Sequence, residues 1–128
     1  TLASNFYTCL SACTSLQSLP AGLFDKNTEA TDFTNCFFGC THLVLNENIF
    51  SANNSHDRFS GKKMVFTYCF YNVGSALSSD ASGGTAPDLW NYDKGSASWT
   101  TTNCFKGATH LSNYASIPKA WGGAASTQ

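Results

Sequence analysis

Charge is what this chain has least of. Only 12% of its residues are Asp, Glu, Lys or Arg, about half the usual quarter, and Arg58 is the single arginine. With a formal charge of -1 there is no clustered basic surface for a phosphate backbone or an anionic lipid face, both of which are bound through Lys and Arg. Nucleic acid and membrane are therefore excluded as main partners. Long apolar runs are missing too. The densest, 64–71 (MVFTYCFY), falls far short of the roughly 20 residues that cross a bilayer. No G-x-S-x-G elbow, H-E-x-x-H pair, P-loop or calcium-loop pattern is found, so nucleophilic serine chemistry has no anchor, and neither a metal nor a cofactor is expected.

What is present is a hydrophobic fraction of 42% over 128 residues, enough for one folded domain and too much for disorder. Six cysteines, an even number in a small chain, together with the sequon Asn53-Asn54-Ser55, predict an oxidising compartment, disulfides, glycosylation at Asn53 and a secreted, extracellular protein. The start at Thr1, without a basic or apolar leader, fits a mature secreted form. Zinc is the competing reading, because Cys9, Cys13, Cys36 and Cys40 form two C-x3-C pairs within the tolerance of zinc-ligand spacing. It leaves Cys69 and Cys104 unexplained.

Self-similarity organises the rest. Residues 34–43 read TNCFFGCTHL and residues 102–111 read TNCFKGATHL, a match at an offset of 68. A weaker match at an offset of 60 sets Phe6, Cys9, Leu10 and Cys13 against Phe66, Cys69, Phe70 and Val73. The Ser/Gly-rich stretch 78–85 (SSDASGGT) supplies the eight extra residues and reads as a flexible loop. The chain is thus expected to be two related halves, 1–61 and 62–128, packed together as one domain. The second half lacks counterparts of Cys13 and Cys40 together, which predicts the bridges Cys13–Cys40, Cys9–Cys36 and Cys69–Cys104. The rival is the crossed staple Cys9–Cys40 and Cys13–Cys36.

The spacing i, i+3, i+4, i+7 in both weaker-matching blocks is one face of a helix. The aromatic and β-branched content of MVFTYCFYNV favours a strand instead. The fold class expected is α+β, a small disulfide-stapled domain of two pseudo-symmetric halves, with all-β as the alternative. Gly39 and Gly107, present in both strong blocks, point to close backbone approach or a positive φ.

Candidate chemistry is sparse. His42 and His110 recur within Thr-His-Leu and suit acid-base work, metal ligation or, more plainly, a pinned structural ring. His56-Asp57-Arg58 with Glu47 has the residue types of a small ribonuclease-like hydrolase, at a spacing that matches no signature. Trp90, Tyr92, Asp93 and Trp99 lie in a low-charge second half that also holds Trp121. Flat rings beside Asn and Asp groups suit sugar faces, and Trp90 is expected to be the most exposed ring. The leading function is a non-catalytic recognition protein, lectin-like or toxin/effector-like, whose partner is a glycan or a cell-surface protein. A structural filament subunit capable of self-association and a small secreted hydrolase are the alternatives.

Overall fold

The computed structural model describes residues 5–125, and it departs from the α+β expectation. Among these residues regular helix is confined to three 3-10 turns of three residues each, Leu89–Asn91, Tyr114–Ser116 and Lys119–Trp121. Strand pairing is limited to isolated parallel bridges, so the all-β alternative has no sheet to rest on. The chain instead winds into a stack of four coils. The bridges Asn5 to Asp32, Asp32 to Val65 and Val65 to Thr100 mark equivalent points on successive coils, which are therefore 27, 33 and 35 residues long.

One short segment of each coil carries the stack. The N–H groups of Phe6, Thr8, Leu10 and Ala12 donate to the carbonyls of Asp32, Thr34, Cys36 and Phe38. Those of Phe33, Asn35, Phe37 and Gly39 donate to Val65, Thr67, Cys69 and Tyr71. Those of Phe66, Tyr68, Phe70 and Asn72 donate to Thr100, Thr102, Cys104 and Lys106, and all twelve bonds lie between 2.6 and 3.0 Å. Within each segment the chain makes two four-residue turns in tandem. In the second coil Cys36 N–H closes onto Phe33 at 3.0 Å and Cys40 N–H onto Phe37 at 3.1 Å. The third residue of every such turn is left-handed: Thr8 and Ala12, Asn35 and Gly39, Tyr68 and Asn72, Asn103 and Gly107, with φ from 51° to 80°. Positive φ at that place is the mark of a type II turn.

This geometry explains why the helix reading failed. Tandem turns repeat every four residues and send positions i, i+3, i+4 and i+7 inward, the same positions that an α-helix of 3.6 residues per turn sends to one face. Phe33, Cys36, Phe37 and Cys40 are accordingly buried, as are Phe66, Cys69, Phe70 and Val73. The two sequence offsets also find their place. The offset of 60 is the 27-residue coil followed by the 33-residue coil, and 68 is the 33-residue coil followed by the 35-residue coil, so each sequence match joins alternate coils.

Stacking in register turns equivalent residues into columns. Phe6, Phe33 and Phe66 form one, with ring centroids 5.4 and 5.7 Å apart and planes within 13°. Phe37, Phe70 and Phe105 form another, at 5.4 and 5.0 Å and within 7°. Aromatic pairs at such separations add about 0.5–1.5 kcal/mol each beyond the area they bury. Phe24, Phe50, Phe59 and Met64 fill the space between the columns and the returning chain. Arg58 fastens that return: its guanidinium donates to the carbonyls of Phe50, Phe24 and Asn27 at 2.9, 2.9 and 3.1 Å and lies 4.5 Å from the Phe59 ring centre. The far end is closed by residues 114–125. Trp121 accepts from Phe105 N–H at 2.8 Å through its carbonyl and buries its indole with Ile117 against the last coil, as a repeat stack requires of its terminal unit.

The disulfide expectation is also overturned. All six cysteines are free thiols, so neither the three expected bridges nor the crossed staple forms. Cys9, Cys36, Cys69 and Cys104 occupy equivalent positions on the four coils, and Cys13 and Cys40 occupy another pair, which is why they looked like bonded partners in the sequence. The buried four, Cys36, Cys40, Cys69 and Cys104, pack as small apolar side chains. The Cys40 thiol donates to the Leu10 carbonyl at 3.0 Å. Burial is the main cause that pushes the Cys36, Cys40 and Cys69 thiols above their ordinary range, which keeps them protonated and unreactive. The compartment argument built on bridges loses its footing with them.

Two measurements test this architecture. In the folded protein a thiol reagent should label Cys9, which is exposed, and more slowly Cys13, while Cys36, Cys40, Cys69 and Cys104 react only on unfolding; six blocked thiols in the unreduced, denatured chain would contradict it. Replacing the left-handed alanine, Ala12→Gly, should raise the urea midpoint by the equivalent of about 0.5–1 kcal/mol, whereas Gly39→Ala, at φ 74°, should lower stability by about 1–2 kcal/mol.

Candidate functional site: an aromatic outer face

The inward positions of the tandem turns are filled, so the outward ones decide what the surface offers. In the second and third coils they carry rings. Phe38 and Tyr71 occupy equivalent outward positions and stack at 4.8 Å with planes 6° apart. Tyr68 meets both edge-on, at 6.1 Å from Phe38 and 5.4 Å from Tyr71. All three are partly exposed. The column continues to Ser11 on the first coil and Lys106 on the last, so the platform is two rings deep and polar at both ends. Tyr7, 56% exposed, sits at the outward position of the first coil that Thr34, Thr67 and Thr102 occupy on the others. Backbone ladders on either side of Phe38 and Tyr71 fix where these side chains leave the chain, and the contacts among the three rings set how their faces lie.

The rings singled out from the sequence go elsewhere. Tyr92 is buried, and its hydroxyl donates to Asn54 Oδ1 at 2.6 Å. Burial first, and then the Asp88 carboxylate, push its phenol upward. Trp99 is half-buried, donates to the Lys62 carbonyl at 3.0 Å, and faces the Lys94 ammonium at 5.6 Å. Trp90 is half-buried and stands edge-on to Phe105 at 6.0 Å. Asp93 is exposed and accepts from Gly95 N–H at 2.8 Å in a turn. These four residues are therefore not assembled into one open platform. Asn53 is exposed, with its carboxamide oxygen taking the Ser51 hydroxyl at 2.6 Å.

His42 and His110 do share a role in the stack. Each places Nδ1 on a carbonyl of the preceding coil, Thr14 at 2.9 Å and Ala81 at 3.1 Å. A carbonyl only accepts, so Nδ1 carries the hydrogen and Nε2 is left as the free ring nitrogen.

His56 belongs to a separate cluster. Asp88 accepts from Asn54 at 2.9 Å and His56 Nε2 at 3.0 Å through one oxygen, and from Asn91 at 3.2 Å through the other. The His56 ring lies against Tyr92 at 5.0 Å. Burial works to raise the Asp88 carboxyl, but the hydrogen bonds from Asn54, Asn91 and His56 outweigh it and hold the group below its ordinary value. The cluster joins loop 51–58 to loop 88–92. Arg58 and Glu47 take no part in it: Arg58 is committed to three carbonyls, and desolvation lowers its guanidinium from the usual range.

Among the described residues no group of three or more His, Cys, Asp or Glu side chains is placed to hold a metal ion, and no helix is long and apolar enough to cross a membrane. The fold and the site together define a short stack of coils with an aromatic outer face. No protein-family model, no curated protein and no solved structure matches this chain.

The Asp88 cluster carries a pH prediction. A carboxyl held low in the folded state contributes stability that is complete above its unfolded value of about 3.9 and is lost as pH falls through the lower folded value. Asp88→Asn should therefore cost about 1–2 kcal/mol at pH 6, and thermal melts should show the gap to wild type closing as the pH falls below about 4. A gap that stays constant with pH would contradict it.

Proposed function

We propose that the protein is a non-catalytic recognition module that binds a glycan through the outer face formed by Phe38, Tyr68 and Tyr71. The observation that carries this reading is the Phe38–Tyr71 stack at 4.8 Å and 6° on the outside of a molecule whose interior columns are already complete. Rings in contact with solvent gain little from burial, whereas flat rings held rigidly side by side offer apolar area at low entropic cost to a flat ligand face. Thr34 and Thr67, partly exposed, hold the outward positions of the neighbouring turns, so hydroxyls lie near the rings, a mixture that suits the alternating apolar and hydroxyl-bearing faces of sugars. Low net charge is consistent with a neutral ligand.

Screening on a glycan array followed by calorimetry tests it. Phe38→Ala and Tyr71→Ala should each weaken binding by about 10-fold, in keeping with the loss of one stacking contact of about 1.4 kcal/mol. Trp90→Ala should lower thermal stability and leave binding intact. Unchanged affinity in Tyr71→Ala, or no glycan bound at all, would overturn the reading.

A further inference from the structure

The eight-residue insert 78–85, read from sequence as a flexible linker, is tied down on two sides. Gly83 N–H donates to the His110 carbonyl at 2.7 Å, Leu45 N–H donates to Gly83 at 2.9 Å, and Ser112 N–H donates to Gly84 at 2.7 Å. Inside the loop Ala81 N–H closes onto Ser78 at 2.9 Å, and the Ser78 hydroxyl bonds the Asp80 carboxylate at 3.3 Å. Glycine is needed at 84 for this seating, because its φ is +83° and a Cβ there would collide with the Leu45 carbonyl, while at 83 a Cβ would press on the His110 backbone at 3.0 Å. The loop thereby walls an open depression of about 480 Å³, with residues 79–82 on one side and Thr109, His110 and Ser112 on the other.

We propose that this depression is a second binding site, for a single polyhydroxylated residue such as the terminal sugar of a glycan. The choice of ligand class rests on the glycan reading of the aromatic face, while the site itself stands on its own lining. Its volume falls within the range of about 300–1,000 Å³ used for small ligands. Its walls combine hydroxyls, one carboxylate and one imidazole with the apolar surface of Ala81, with no Lys or Arg to hold an anion and a single carboxylate, too few for a metal ion. His110 is anchored through Nδ1 to the Ala81 carbonyl at 3.1 Å, which leaves Nε2 as an acceptor. With the Asp80 carboxylate it offers acceptors to O–H donors, and the serine and threonine hydroxyls serve as either partner. A ligand rich in hydroxyls satisfies such a lining, whereas an apolar one would leave it unpaired. His42 is the internal comparison. It is pinned in the same way to Thr14, but the coil that precedes it has no insert and hence no counterpart of Ser79, Asp80 or Ser82.

The test is a titration of the isotope-labelled protein with glucose, galactose, mannose and N-acetylglucosamine, followed by backbone amide and histidine ring resonances. Saturable shifts at 79–82, 109–112 and the His110 ring, with the His42 ring unmoved, are expected for at least one sugar, at millimolar affinity. Asp80→Asn and His110→Phe should each weaken that binding by about 10-fold, the equivalent of one lost hydrogen bond. Tyr71→Ala should leave the shifts in place, so this site and the aromatic face succeed or fail separately. No saturable shift with any of the four sugars, equal affinity in Asp80→Asn, or a response to glucosamine but to none of the four, which would mark an ammonium site, overturns the proposal.

Discussion

The structure depends on one backbone arrangement: two consecutive four-residue turns, each with a left-handed third residue, whose alternate N–H groups point along the stack to the next coil. A turn of this kind uses its first carbonyl internally and leaves the intervening amides free, so every segment brings a set of donors on one side and a set of acceptors on the other. Twelve such bonds join the four coils. Asn and Gly occupy five of the eight left-handed positions, the residue types that visit this region at least cost. Thr8, Ala12 and Tyr68 adopt it against their own preference, at about 1–2 kcal/mol each, because the ladders on either side leave no other backbone path.

Everything in the interior follows from register. Once equivalent atoms of successive coils lie one strand spacing apart, like side chains stack on like, and phenylalanine, whose flat ring tolerates such a column, fills two of them. Cysteine recurs at the position between them. The same registration that aligns Cys36 with Cys69 and Cys104 makes them packing neighbours, and their thiols serve as small apolar groups. A coil contacts only its neighbours, so the stack needs an end. Residues 114–125 supply one by bringing Trp121 and Ile117 over the last phenylalanine column.

Outward positions are free of that demand, and there the coils differ from one another. The position that holds Phe38 and Tyr71 holds Ser11 and Lys106 on the end coils, and the ladder that fixes the backbone brings the two rings within stacking distance. The insert of the third coil is a second departure from the plain repeat. It is anchored by glycine contacts to His110 and Leu45 and surrounds a polar hollow. Both features arise where repetition is broken, as expected when a uniform scaffold carries local function on its surface.

Much of this organisation was written in the residues. The matches between TNCFFGCTHL and TNCFKGATHL, and between the Phe6 and Phe66 blocks, reported related segments, and the paired glycines at 39 and 107 reported positive φ. Cys9 with Cys69 and Cys36 with Cys104 were legible as equivalents, but Cys9 with Cys36 and Cys13 with Cys40, read as bonded partners, are equivalents on adjacent coils and free thiols. The inward set Phe33, Cys36, Phe37 and Cys40 could also have been read as core, yet whether it lay on a helix or on tandem turns was beyond local pattern, since both send i, i+3, i+4 and i+7 to one side. Only the tertiary stack settled that, because the left-handed turn residues are held by hydrogen bonds to coils 27 to 35 residues away. The same distant contacts drew Tyr92 and Trp99 inward and left Phe38, Tyr68 and Tyr71 outside: composition sets how many rings a chain has, and the register of neighbouring coils sets which of them meet water.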